Sequence, residues 1–483
     1  MIEKLKSEWL RQPGTNILAG IVVALALIPE ATAFSIIAGV DPMVALYAAF
    51  IIATVTAIVG GRPAMISGAT GAVALLITPL VKEHGVEYLF AATILMGIIQ
   101  FVLGLLKVGR LMKFIPRSVM IGFVNALGIM IFMAQIEHIF GISISTYLYV
   151  IITLIILYIF PKFFKTIPAP LVAIVVLTSL YMFTGANVET VGDLGSIKQT
   201  LPHFLMPNVP FNLETLQIIF PYSLSMAIVG LVESLLTAKI VDDATDSYSN
   251  KNKESRGQGI ANMITGFFGG MGGCAMIGQS IINVKSGANS RLSTFTAGIV
   301  LIFMIIVLGG VVVQIPMPIL AGIMVMVSIG TVDWNSFKYI KNAPKTDAVV
   351  MLITVIIVLM THNLAIGVIV GVIFSALFFA TKISKIEVEH EDFGKKHLFS
   401  FKGQIFFVSI DSMMEQIDFN IKDSVIELNF NHAHLWDDSA VDAIDTIVNK
   451  LEEKNNIVYV EKLNADSRKI VSELSQLNEN HLN

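Results

Sequence analysis

The sequence predicts a polytopic α-helical membrane protein of about fourteen membrane segments in a seven-plus-seven inverted repeat, followed by a small α/β domain. Three observations predict it. Hydrophobic residues make up 55% of the 483 and charged residues only 14%, where a soluble domain carries about a quarter. Two stretches, Met65–Leu76 and Met271–Ile282, begin glycine-rich and polar and continue as apolar runs too short to cross a bilayer. One lies in each half of the chain, and such a pair at corresponding places is the sequence pointer to a membrane binding site. Beyond Ile386 the acidic residues concentrate and the composition becomes that of a soluble domain.

Spans require roughly 20 apolar residues, fewer where a helix is broken inside protein. The first half supplies segments near 15–38, 43–60, 66–80, 88–106, 117–136, 144–160 and 168–183. A polar loop covers 184–214. The second half supplies 215–240, 257–271, 276–287, 292–313, 317–331, 347–361 and 364–383. An odd number of segments per half forces the halves into opposite orientations, and in this register segment 3 matches segment 10.

Basic residues set the orientation. Lys4, Lys6 and Arg11 place the N-terminus in the cytoplasm, and no cleaved signal peptide is expected. Arg62, Lys107, Arg110, Lys113, Arg117, Lys162 and Lys165 fall on the same side. So do Lys239, Lys251, Lys253, Arg256, Lys285, Arg291, Lys338, Lys341, Lys345, Lys382 and Lys385. The opposite loops carry mainly Lys82 and Lys198, so both termini are expected to be cytoplasmic. Lys285 and Arg291 read as cytoplasmic anchors rather than ligands.

In the tail, Val425–Phe430 and Ile457–Val460 read as strands, with Val441, Ile444, Val448 and Leu451 at helical spacing between them. Membrane-spanning and soluble regions divide as 1–385 and 386–483. Cys274 is the single cysteine, so no intramolecular disulfide forms. No Walker A loop, GxSxG or metal-spaced Cys/His cluster is present, and a net charge of −4 gives no sign of a nucleic-acid partner.

Two carboxylates lie inside apolar spans. Glu233 precedes Thr237 by four residues on one helix face, a pair that suits a sodium ion or leaves the glutamate to carry a proton. Glu30 follows Pro29, which is expected to break its helix and open backbone carbonyls. The bland reading of Glu233 is a helix–helix hydrogen bond, and that of Ser67-Gly-Ala-Thr70 is close helix packing. In the sharper reading, the starts of segments 3 and 10 expose N–H groups and positive dipole ends that suit an anion.

The motifs carry a family resemblance. Asp41-Pro-Met-Val-Ala-Leu-Tyr47 followed by Gly61-Arg-Pro-Ala-Met-Ile-Ser-Gly-Ala-Thr-Gly-Ala72 resembles the signature of the SulP family of anion transporters. Ile28–Phe34, Asn252–Asn262 and Gln314–Gly322 are similar to further SulP stretches, and the tail resembles a STAS domain. The resemblance implies a core of segments 1–4 and 8–11, a gate of segments 5–7 and 12–14, an elevator-like displacement of the core, and a homodimer. It implies substrate between half-helices 3 and 10, at Ser67, Gly68, Ala69, Thr70, Cys274, Ala275, Met276 and Gln279.

Glu233 and Thr237 match the acidic residue and threonine of sodium-coupled members. A threonine ligand expected from segment 10 is missing at Cys274, Ala275 and Met276, which shifts the expectation toward proton coupling. Glu30 matches a position where some bacterial members carry a proton-coupling glutamate. Gln279 stands where many animal members have an arginine, which favours a co-transported cation over exchange. Ser439, within Trp436–Val441, falls on the phosphorylated position of soluble STAS proteins, against the structural reading in which it caps the following helix.

The expected activity is secondary active transport of a small inorganic anion across the plasma membrane. It needs no cofactor beyond a coupling proton or sodium ion. Membrane lipid surrounds the spans, and the STAS-like tail is free to bind a cytoplasmic protein. An anion near Glu233 is repelled unless that carboxylate is protonated or paired. An uncoupled channel or exchanger, and a carrier for dicarboxylates or other organic anions, remain as alternatives. An organic-anion site calls for aromatic residues near the half-helices, and neither glycine motif has one close by.

Overall fold

A computed structural model of the chain describes residues 8–109, 114–164, 169–194 and 200–475. Lys4, Lys6, Arg110, Lys113, Lys165 and Lys198, used above for orientation, lie outside the described residues. The chain separates into two compact units, Met1–Val372 and Ile373–Asn483.

Among the described residues, seven helices longer than ten residues build the first half: α1 (Pro13–Ala38), α2 (Pro42–Val59), α3 (Gly71–His84), α4 (Val86–Leu105), α5 (Arg117–Ile139), α6 (Ile144–Phe163) and α7 (Ala169–Thr184). The second half repeats the series as α8 (Leu213–Thr245), α9 (Lys251–Phe267), α10 (Ile277–Lys285), α11 (Arg291–Val312), α12 (Met317–Thr331), α13 (Lys345–Thr361) and α14 (Leu364–Ile383). Among the described residues, eight helices are long and apolar enough to cross a membrane unaided. The short ones include α3 and α10, the expected half-helices.

Helix ends follow from local chemistry. Asp41 caps α2 by accepting from Met43 N at 2.8 Å, and Pro42 occupies the first turn, where a missing N–H costs nothing. Gly39 ends α1 in the left-handed region that glycine tolerates. Asn212 and Asn250 cap α8 and α9 in the same way as Asp41 caps α2. The charged run Lys251–Arg256 forms the first turns of α9, so that helix begins before the apolar stretch that predicted it. Contrary to expectation, α1 runs through Pro29 without a break. Proline removes one backbone donor, and packing on both sides holds the remaining ladder.

The halves pack by one rule. Contacts of α4 with α9, and of α1 with α11, recur seven elements later as α11 with α2, and α8 with α4. Helices α2 and α9 pack on one another, as do α5 and α12. Pairs related by an offset of seven are what an internal repeat requires.

Two three-residue strands join the halves. Strand β1 (Ser67–Ala69) leads into α3 and strand β2 (Gly273–Ala275) leads towards α10. They pair antiparallel, with Ser67 opposite Ala275, Gly68 opposite Cys274 and Ala69 opposite Gly273. Extended backbone cannot stay unpaired in hydrocarbon, so the two broken segments pair with each other and leave the remaining backbone groups to side chains of neighbouring helices. Arg291 is buried and donates to Ala57 O (3.0 Å) and Gly60 O (2.9 Å), closing the end of α2 rather than serving as an exposed anchor.

The second unit holds a four-stranded sheet in the order β3 (Glu387–Asp392), β4 (Lys396–Ile405), β5 (Val425–Leu435) and β6 (Ile457–Glu461). β3 is antiparallel to β4, and the other two pairings are parallel. Helix α15 (Asp438–Glu452) buries Val441, Ile444, Val448 and Leu451, the residues whose spacing predicted it. Its cap is Asp437, which accepts from Ala440 N at 2.9 Å. Ser439 therefore sits inside the first turn, and the capping role expected for it is corrected. Helix α16 (Ala465–Leu474) completes the unit.

A side chain at Gly273 would bring Cβ to 2.1 Å from Gly68 O, a backbone atom that cannot step aside. Gly273→Ala is expected to separate the strands and cost about 1–3 kcal/mol or more. A thermal-unfolding midpoint equal to wild type in detergent would show that the pairing does not constrain the fold.

Candidate functional site

The strand pair is held by one face of α9. Glu254, Gln258 and Asn262 follow at intervals of four, so a single stripe of polar groups faces inward. Asn262 donates to Gly273 O (3.0 Å) and Gln100 Oε1 (2.8 Å) and accepts from Gly273 N (2.9 Å), gripping β2 at both its backbone groups. Gln258 donates to Ser67 Oγ (2.7 Å) and Glu254 Oε1 (2.8 Å), gripping β1. Glu254 in turn accepts from Gly61 N (2.6 Å) and Arg62 N (3.0 Å). From α8, Ser234 accepts from Ala275 N at 3.0 Å, and from α10, Ser280 accepts from Ile66 N at 3.0 Å.

These groups escaped the sequence reading. The Glu-x₃-Gln-x₃-Asn spacing inside a small-residue segment was the available signal, and it lay within Asn252–Asn262.

In front of the crossing lies a cavity of about 860 Å³. Thr70, Met276, Gln279, Glu30 and Glu233, all singled out from the sequence, line it. Gly71 and Ala72 of α3, with Ile277 and Gly278 of α10, bring both helix N-termini to its wall. The residues before them, Thr70 and Met276, are extended and supply no side-chain cap. The first N–H groups of both half-helices thus lack a capping partner from those side chains, and both positive dipole ends reach the cavity.

The two carboxylates come from different helices, Glu30 from α1 and Glu233 from α8. Glu233 Oε2 accepts from the Cys274 thiol at 2.9 Å, and that sulfur lies 3.2 Å from Thr70 Oγ1. Glu30 Oε2 accepts from Gln279 Nε2. The wall also carries Lys239 and Asp243 from the last turns of α8, Arg117 at the start of α5 and Asp333 just after α12. Four carboxylates therefore stand against two cations in the lining. Phe34 and Phe123 also line the cavity, so aromatic surface is present although neither glycine motif carries it.

Other expected residues lie behind the wall. Ser67, Gly68, Ala69, Cys274 and Ala275 form the buried strands and are absent from the lining. The Ser67 hydroxyl is occupied by Gln258. Thr237 is fully buried, and its hydroxyl donates to the backbone carbonyl of Glu233 at 2.7 Å. It does not turn towards the carboxylate with which it shares a helix face.

The family description "Sulfate permease family" matches residues 14–155 and 144–354, which is most of the chain. A relative from Bacillus subtilis (strain 168), "Putative sulfate transporter YbaR", is 54% identical over 472 residues, covering 98% of this chain and 99% of its own. The chain belongs to the sulfate permease family. Residues 387–481 match the STAS domain.

Two solved relatives place this sulfate permease chain structurally. The transmembrane domain of a cyanobacterial bicarbonate transporter, BicA, aligns with TM-score 0.66 and 26% identity over 75% of this chain and 97% of its own. The murine Solute Carrier 26 family member A9 anion transporter, in its inward-facing state, aligns with TM-score 0.84 over 97% and 89% of the two chains. At 16% identity that likeness establishes the shared fold. The chain is thus a multi-pass membrane protein with the helical transporter fold and a C-terminal STAS domain.

Asn262→Ala would orphan both backbone groups of Gly273, at about 1–3 kcal/mol for each buried group. The expected outcome is a lower unfolding temperature together with lost transport. An Asn262→Ala protein with wild-type stability and uptake would remove α9 from the account of the site.

Proposed function

We propose that the protein is a secondary active transporter that moves a small inorganic anion together with a cation across the cell membrane. The observation that carries this reading is the meeting of two uncapped helix N-termini with two carboxylates in one cavity. The dipole ends supply donors to an anion. Glu30 and Glu233 would repel it unless each is neutralised when the anion arrives, and that requirement makes anion and cation binding mutually favourable.

Contact chemistry favours a proton over sodium. A sodium ion needs oxygen acceptors, whereas the neighbours of the two carboxylates, Cys274 and Gln279, are donors. Thr237 spends its own donor on a backbone carbonyl and faces away from the lining. Glu233, with Glu30, is therefore assigned as the proton carrier, and no metal ligand is assigned to Glu233 or Thr237. Thr70, Gln279 and the N–H groups at the starts of α3 and α10 contact the anion, while Ser67, Gly68, Ala69, Cys274 and Ala275 hold those starts in place.

Helices α1–α4 with α8–α11 act as a core, and α5–α7 with α12–α14 as a gate. Support comes from the dense packing of α4 on α9, α1 on α11 and α2 on α11, against the separate grouping of α5 with α12 and α13. Elevator-like displacement of the core would carry the cavity across the membrane. The transport domain is taken as residues 1–385 and the STAS-like domain as 386–483, both termini being cytoplasmic, with Ser439 a regulatory candidate. Apolar faces of α6 and α14 left uncovered call for lipid or a second copy in a homodimer.

The names of the relatives, sulfate for YbaR and bicarbonate for BicA, support a small oxyanion. A second reading, a dicarboxylate or other organic anion, is favoured by Phe34 and Phe123 on the wall.

Glu233→Gln is expected to abolish gradient-driven uptake in proteoliposomes and to leave a folded protein. Accumulation at the wild-type level under a proton gradient would falsify the assignment, and Glu30→Gln in the same assay separates the two carboxylates. Gly278 has nothing within 4 Å of a would-be Cβ, so Gly278→Val fills the cavity without a backbone clash. Lost uptake at an unchanged unfolding temperature is expected, and normal uptake would place the anion elsewhere.

A further inference from the structure

We propose that the Cys274 thiol is a positioning residue that relays the protonation state of Glu233 to the Thr70 hydroxyl, so that Thr70 donates to the anion only when Glu233 holds a proton. The inference rests on the functional reading above and deepens it by assigning the coupling path.

Three side chains from three elements form an unbroken line: Glu233 on α8, Cys274 on β2 and Thr70 at the start of α3. The separations are 2.9 Å from sulfur to Glu233 Oε2 and 3.2 Å from sulfur to Thr70 Oγ1. Both ends of the line face the cavity, while the sulfur is fully buried between them. A buried thiol flanked by two oxygens has one hydrogen to give and one side to receive.

When Glu233 is a carboxylate it can only accept. The thiol hydrogen then points to Glu233, and the Thr70 hydroxyl hydrogen points to sulfur. Thr70 is left presenting lone pairs to the cavity, which repel an anion. When Glu233 gains a proton, its O–H donates to sulfur and the thiol turns its own hydrogen to Thr70 Oγ1. The Thr70 hydrogen is released and can donate to the anion. One proton has been added at Glu233, sulfur and the Thr70 oxygen each keep one hydrogen, and no bond other than Oε2–H is made.

Other charges bear on Glu233 as well. Glu30 shares the lining from α1, Lys239 and Asp243 follow on α8, and Arg117 and Asp333 are further members of the wall. The lining contributed by α3 and α10 holds no titratable side chain, and α4 and α9 contribute none of the lining. These charges shift the pH at which the line reverses. They do not replace its direction sense, which only the intervening thiol supplies.

The test uses the full chain, whose single cysteine gives one S–H infrared band. In wild type the band is expected to shift between alkaline and acid buffer as the thiol exchanges a carboxylate partner for a hydroxyl. In Glu233→Gln it should stay at the acid position, and in Thr70→Val the acid form should move towards a free thiol. Radiolabelled sulfate uptake in proteoliposomes gives the second readout. The fall of the sulfate KM on acidification should flatten in Cys274→Ala and return in Cys274→Ser, whose hydroxyl relays in the same way. A band that ignores pH in wild type overturns the relay, as does a wild-type pH profile in Cys274→Ala. If Glu233→Gln itself retains gradient-driven uptake, the transport reading falls and the relay falls with it. If only the thiol results fail, Glu233 remains the coupling residue without this path.

Discussion

The antiparallel pairing of Ser67–Ala69 with Gly273–Ala275 is the constraint on which the membrane unit depends. Two half-helices that end inside the bilayer each need extended backbone, and that backbone must find partners without water. Crossing the two strands solves both problems at once, and it also aims the starts of α3 and α10 at the same point. The cost is steric. Gly273 can carry no side chain, and Gly68 lies against Ala49 with little space to spare. The polar stripe Glu254, Gln258 and Asn262 exists to hold this crossing, which explains why a charged and amide-rich face is buried in a membrane protein.

Electrostatics then decide what such a crossing can hold. Helix N-termini attract an anion, yet the lining carries more carboxylates than cations. Those tendencies oppose one another, which is why the proposed transport pairs anion binding with neutralisation of the carboxylates. The atoms of Cys274 and Gln279 that touch the two carboxylates are donors, so these contacts supply no oxygen ligand for a sodium ion, in keeping with the proton coupling proposed above.

Much of this was legible in the sequence. Hydropathy located the helices, the seven-element offset matched segment 3 with segment 10, and Glu30, Thr70, Glu233, Met276 and Gln279 all line the cavity. The strand pairing was not legible, because three residues of small side chains carry no periodicity. Nor was the role of α9, whose first turns look like a cytoplasmic loop because Lys251, Lys253 and Arg256 dominate its hydropathy. Pro29 misled for a different reason: proline weakens a helix locally, but α1 is packed on enough sides to continue through it. In the soluble unit both β3 and β4 were missed: almost all residues of β3 are exposed, which leaves no alternation to read, whereas β4 does alternate in burial and its signal was overlooked.

The central claim is that anion binding at the crossed half-helices is linked to neutralisation of the facing carboxylates. The most direct measurement follows protons as purified protein in weakly buffered solution is titrated with sulfate, and separately with a dicarboxylate. Binding of whichever anion the site accepts should draw protons from solution, up to about two per anion where Glu30 and Glu233 both start charged. Anion binding at the wild-type site with no proton taken up across the pH range would contradict the account.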